Sequence, residues 1–224
     1  MSVAPAARWA RAPAALAFLV VTATCTLAHR ILDPARRADV DATISTSTDN
    51  LATHPFRSLL GSALVAASPA VLWLAVTFAA LVALELWVGP WRALGAFALG
   101  HVGATLLTAP TILWGTTHGW MPMSTRSVTD DYGLSYGAVC CLVILTLRVP
   151  LRWRVPYLAV LVLFLWSLGV TSSPQDYTAT GHLVAAMLGL VVVAVVTCSR
   201  RTEQGGDPVL GGRRVRPGRS SRGC

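Results

Sequence analysis

Lysine is absent from this chain, and charge of either sign is scarce. All 18 basic residues are arginines, set against 10 acidic ones, for a formal net charge of +8. Only 12% of residues are charged while 54% are hydrophobic, and the mean hydropathy of +0.59 is far from that of a water-soluble domain. The arginines fall between apolar runs and in the C-terminal tail instead of forming a phosphate-binding face, so no nucleic-acid partner is expected. Cysteine is sparse as well. Cys25, Cys140, Cys141, Cys198 and Cys224 show no metal-ligand spacing, and most lie in or beside apolar runs, so no disulfide framework, metal or cofactor is expected.

What remains is apolar sequence, in lengths near the ~20 residues that cross a hydrocarbon core of about 30 Å. Runs at 13–28, 70–88, 93–114, 132–147, 155–171 and 178–198 predict an all-α integral membrane protein with six spans. The first run, with Arg8 and Arg11 before it, also has the form of a cleaved signal peptide. Both readings orient the later spans alike. Residues 29–69 form a long polar outer loop in which 56–67 is expected as a short interfacial helix, and 199–224 read as a disordered basic tail. With the N-terminus inside, thirteen arginines fall on inner segments and five on outer ones, which predicts a cell-membrane protein with both termini cytoplasmic. Its expected surroundings are the lipid bilayer.

Three ionisable residues lie within the spans, where each needs a reason. Glu85, with Arg92 just across a short turn, predicts a structural ion pair. His101 predicts an interhelical hydrogen bond, with Gly100 and Gly103 admitting a close neighbour. His182 differs, because it lies four residues into the last span from outside. Ser135 lies at a similar depth in its own span, roughly 5 Å down at 1.5 Å per residue. Gly133, Gly137 and Cys141, and likewise Gly181, Ala185 and Gly189, repeat every four residues, the pattern that lets membrane helices approach closely. A serine hydroxyl and a neutral imidazole at one depth on close-packed helices can form an activated nucleophile. Asp131 is expected to favour the helix start as a carboxylate, and the N–H groups of Leu134 and Ser135 are expected to serve as oxyanion donors. In the competing reading the glycines only pack the helices and Ser135 bonds its own backbone. The stretch GLSYG also matches G-x-S-x-G, but that motif requires a strand and a layered sheet, which a bundle of spans excludes.

Six spans, Gly133-Leu134-Ser135 opening the fourth, Gly181-His182 opening the sixth and Glu85-Leu86-Trp87-Val88-Gly89 closing the second together resemble the rhomboid intramembrane serine proteases. The resemblance covers residues 13–198. It implies a Ser135–His182 dyad without a third acid, a water-filled outer cavity, and membrane-spanning segments of other proteins as substrates. It also implies a membrane-embedded first loop at 29–69 and a mobile gate helix at 155–171. Three positions depart from the family pattern. Tyr136 stands where a glycine usually follows the serine. Val139 stands where an aromatic usually packs the histidine. Only Ser68 is polar in 68–73, where the family carries His and Asn to help hold the oxyanion. Losing one oxyanion donor typically costs about 3–4 kcal/mol. The resemblance therefore also admits a non-catalytic relative that binds transmembrane helices. A small transporter or channel is disfavoured, because no polar path crosses the spans.

Overall fold

The computed structural model describes residues 11–122, 124, 131–171 and 177–205. Arg8 and the tail beyond 205 lie outside the described residues. Among those described, the chain is helical, with no strand. Helix α1 spans Pro13–Arg30, α2 Pro34–Ile44, α3 Thr48–Thr53, α4 Pro55–Leu64 and α5 Ala70–Val88. Helix α6 runs over Pro90–Thr117 and contains a π turn at Leu99–Gly103. Helices α7, α8 and α9 are Leu134–Leu145, Leu151–Thr171 and Tyr177–Gly205. The last extends past the predicted boundary at 198, so 199–205 are helical rather than the start of a disordered tail.

Proline opens α1, α2, α4 and α6, where its missing N–H has no partner to lose. Between α5 and α6 the chain reverses at Gly89, whose φ of +88° is strained for any other residue and whose N–H donates to the Glu85 carbonyl at 2.9 Å.

Five helices are long and apolar enough to cross a membrane: α1, α5, α6, α8 and α9. The chain is thus a multi-pass membrane helical bundle. The fourth predicted span, 132–147, is the 12-residue α7, about 18 Å long at 1.5 Å per residue. Every residue of α7 except Leu142 is buried, against α9, α5 and α6. A helix enclosed by protein need not match the bilayer's thickness, because its ends find protein partners instead of lipid. Helix α8 is its opposite. Val155, Val160, Val162, Leu163 and Trp166 are exposed on it, a surface suited to lipid, and one of its ties to the bundle is the Tyr157 hydroxyl, which donates to the Leu142 carbonyl at 2.7 Å.

The glycine faces pack differently from the sequence expectation. On α9 the small residues do meet α7: Gly181 lies against the Tyr136 ring, Ala185 is fully buried, and a methyl on Gly189 would come within 2.7 Å of Val143 Cβ. On α7, however, the glycine face turns to α6, where Gly133 abuts the His101 ring and Gly137 abuts Phe97, with Gly100 opposite Cys140. Ser135 sits two residues from each glycine, about 200° around the helix, so a serine aimed at α9 sends the glycines to α6.

The long connection 31–69 is folded. Helices α2, α3 and α4 form a cap in which the Ser58 hydroxyl donates to the Ser45 carbonyl at 2.6 Å, and the Ala66 N–H donates to Thr26 Oγ1 on α1 at 3.0 Å. Helix α4, close to the predicted interfacial piece, buries Ser58 and Ser62 and exposes Phe56 and Leu60, with its polar side toward protein and its apolar side outward. That inverted amphipathicity suits a helix bathed in lipid.

The expected Glu85–Arg92 ion pair is not formed. Glu85 is buried and accepts from the N–H groups of Ala14 (3.1 Å) and Ala15 (2.7 Å), while Arg92 is exposed. These are the second and third residues of α1, whose first-turn N–H groups have no intrahelical acceptor and whose N-cap, Ala12, has no side-chain oxygen. A buried carboxylate gains more from two amide donors at the positive end of a helix than from a solvated guanidinium.

Candidate active site

The start of α7 and the first turns of α9 place Ser135 and His182 side by side. His182 Nε2 lies 2.9 Å from Ser135 Oγ, and both residues are buried, at 4% and 6% exposure. For the hydroxyl to donate in this bond, the imidazole carries its proton on Nδ1. That nitrogen has no hydrogen-bond partner among the described residues, and none of their carboxylates bonds the ring.

Aromatic rings orient it instead. Trp73 of α5 stacks on the imidazole, with centroids 5.6 Å apart and planes inclined by 14°. Tyr136 meets it edge-on at 5.1 Å and 81°. The ring of Tyr136 therefore does not obstruct the serine. The residue after Ser135 is turned about 100° around the helix, which carries the ring into the α7–α9 interface, where it is fully buried. Its edge packs the histidine, a task that Val139 cannot perform.

Asp131, three residues before α7 and 1% exposed, is the hub of the surrounding polar groups. The Tyr136 hydroxyl lies 2.7 and 2.8 Å from its two carboxylate oxygens, and the Thr178 hydroxyl donates to it from the start of α9 at 2.6 Å. The Thr46 hydroxyl of the cap donates to the same carboxylate, and the Thr46 N–H donates to the Asp131 carbonyl at 3.1 Å. Nearby, Asp41 of the cap accepts from the Tyr132 hydroxyl and pairs with His29 at 2.6 Å.

Ser135 and His182 border a cavity of about 280 Å³, closed on other sides by Trp73, Leu168 and Ser68. Ala67, Ser68 and Tyr132 are shared with an adjoining cavity of about 510 Å³, which Arg30, Arg37 and Asp41 also line. Leu134 and Ser135 are the first two residues of α7, and the N–H groups at those positions have no intrahelical acceptor. The N–H groups of Tyr136 and Gly137 already bond the Gly133 carbonyl.

His101 lies apart from this pair. It is buried, stacks on Phe97, and pairs through Nε2 with the Leu59 carbonyl at 2.8 Å, fastening α4 of the cap to α6. Among the described residues, no group of three or more His, Cys, Asp or Glu is arranged to hold a metal ion.

Of the groups that shape this site, Trp73, Thr46 and Thr178 escaped the sequence reading. Thr178 had a signal, standing one helical turn before His182. Thr46 had none, since it lies 85 residues from its acceptor.

Comparison with curated proteins and with solved structures gives no match. The sequence model of a family described as "rhomboid-like protein" matches residues 8–202, and the chain belongs to that rhomboid-like family.

Proposed function

We propose that this rhomboid-like protein is an intramembrane serine endopeptidase that cuts transmembrane segments of other proteins. The observation that carries the reading is the 2.9 Å approach of His182 Nε2 to Ser135 Oγ at the edge of a cavity able to hold water and substrate backbone. His182 takes the proton as Ser135 Oγ attacks the scissile carbonyl carbon, then returns it to the leaving amine, giving an acyl-enzyme. Water, deprotonated by the same imidazole, attacks the ester carbonyl; the C–Oγ bond breaks, the imidazolium returns the proton to Ser135 Oγ, and the second product leaves as its carboxylic acid. The N–H groups of Leu134 and Ser135, at the positive end of α7, face the developing oxyanion, and Ser68 is the polar side chain at the start of α5 nearest to that task. Trp73 stacked on the imidazole favours the cation formed in mid-reaction.

In this reading α7 is the fourth of six crossings, the cap faces outside, and both termini are in the cytoplasm of a cell-membrane protein. Substrate segments enter past α8, whose limited packing suits a gate.

The test is co-reconstitution in liposomes with a panel of single-span reporter proteins carrying glycine or proline in the span. The proposal expects cleavage by the wild type, lost in Ser135→Ala and in His182→Ala. Crosslinking of reporters to the wild type without cleavage of any of them would favour the alternative, a non-catalytic protein that binds transmembrane helices.

A further inference from the structure

Asp131 belongs to none of the chemical steps above, yet it is a carboxylate held at 1% exposure near the edge of the bundle core. A buried carboxylate is costly unless each oxygen is satisfied, and this one is satisfied from three directions. Thr46 reaches it from the cap, Tyr136 from α7 and Thr178 from α9. The spacing of this acceptor and of one of its donors relative to the dyad is regular. Asp131 precedes Ser135 by four residues, and Thr178 precedes His182 by four. On α9 that separation is one helical turn, so the Thr178–Asp131 bond lies one turn from the serine–histidine bond and joins the same two helix starts. Between the two bonds stands the Tyr136 ring, tied to Asp131 by its hydroxyl and edge-on to His182. Gly181 leaves room for that ring, and any side chain there would collide with it.

We infer that Asp131 is the positioning residue of the dyad: through Thr178 it fixes α9 against α7, and through Tyr136 it fixes the plane of the His182 imidazole. This extends the protease reading, since it assigns to a buried Asp–Tyr–Thr cluster the orienting task that a third acid performs in a triad. Its carboxylate acts through the hydroxyls of Thr46, Tyr136 and Thr178. Such indirect support has a place here, because among the described residues no hydrogen bond reaches Nδ1 of the imidazole.

The experiment combines two readouts on the full-length protein in lipid nanodiscs. The first is the ¹⁵N spectrum of histidine-labelled protein, with His182 assigned by its loss in His182→Ala. The second is the rate constant and final stoichiometry of labelling by a fluorophosphonate. Three variants are compared with wild type: Asp131→Asn, Tyr136→Phe, which keeps the ring and loses only its tie, and Tyr136→Leu, which loses both. The inference expects the His182 resonances to move in all three. It also expects the rate constant to fall about tenfold in Tyr136→Phe and further in Tyr136→Leu, with full final stoichiometry, as for loss of orientation at a reacting pair. Asp131→Asn combined with Tyr136→Phe should be no worse than the poorer single variant, because both cut one connection. A merely structural role would lower the labelled fraction with the unfolded fraction and leave the rate constant of the folded protein unchanged. That result, or unmoved His182 resonances in folded Tyr136→Phe, overturns the inference. If wild type does not label while the resonances still move, the positioning role stands and the protease reading fails.

Discussion

The two ends of the bundle are held together by different forces. At the cap end, where α7 and α9 begin, polar side chains crowd together: Asp131, Thr46, Tyr136, Thr178, Ser135 and His182 form hydrogen bonds within a few ångströms of a cavity. Deeper in the bundle, cohesion comes from close backbone approach, with Gly100 opposite Cys140 and Gly189 against Val143, and from one acidic side chain, Glu85, closing the start of α1. Small residues suffice where only lipid competes for the contact. A directed network belongs where water enters and side chains must hold one orientation against it. Function and cohesion are therefore separable by substitution.

The largest effect should come at the cap end and leave the fold standing. On the proposed function, His182→Ala is expected to lower reporter cleavage on the order of 10³-fold or more, by analogy with loss of the base in serine hydrolases, with little change in the thermal unfolding of the detergent-solubilised protein. The reverse signature belongs deeper in the bundle. Gly100→Val inserts a branched side chain where even a methyl would strike Cys140 and lie 2.9 Å from the Tyr136 carbonyl oxygen. Overpacking of this kind costs about 1–3 kcal/mol or more, read as a lower unfolding temperature or failure to accumulate in the membrane. Gly95→Ala, on the same helix with nothing within 4 Å of the added methyl, should be neutral or slightly stabilising. Equal damage from both substitutions would show that the α6–α7 approach is not what matters.

Smaller again is Glu85→Gln, which weakens the acceptor for the Ala14 and Ala15 N–H groups and should cost about 1–2 kcal/mol of unfolding free energy, read as a lower chemical-denaturation midpoint. Arg92→Ala is the smallest, expected within about 0.5 kcal/mol of wild type, since Arg92 is exposed and away from Glu85. If the arginine variant proved as damaging as the glutamate variant, the helix-start account of Glu85 would be wrong.

How far the sequence could be read follows the same division. The meeting of Ser135 with His182 was legible, because depth in a span is a count of residues and the two counts agree. The membrane bundle itself was legible from the apolar runs. The partner of the α7 glycine face was mistaken although the answer was present: residues two apart on a helix point in nearly opposite directions. The same rotation explains Tyr136, which looked like an obstacle only because it is adjacent in sequence. Glu85 misled by proximity, since Arg92 is seven residues away and Ala15 seventy, and a buried carboxylate seeks amide donors wherever the fold brings them. Of the cap, α4 was anticipated as a short helix at 56–67, whereas α2 and α3 were beyond reach, and the bond from Thr46 to Asp131 joins residues that no periodicity connects.

The most direct test of the central claim, that His182 activates Ser135, is intact-mass and peptide-level mass spectrometry after fluorophosphonate treatment in lipid. The account predicts one adduct per chain, on Ser135, formed by the wild type and absent from His182→Ala although that variant remains folded. A folded wild type that acquires no adduct, or an adduct on Ser135 that forms equally well without His182, would contradict it.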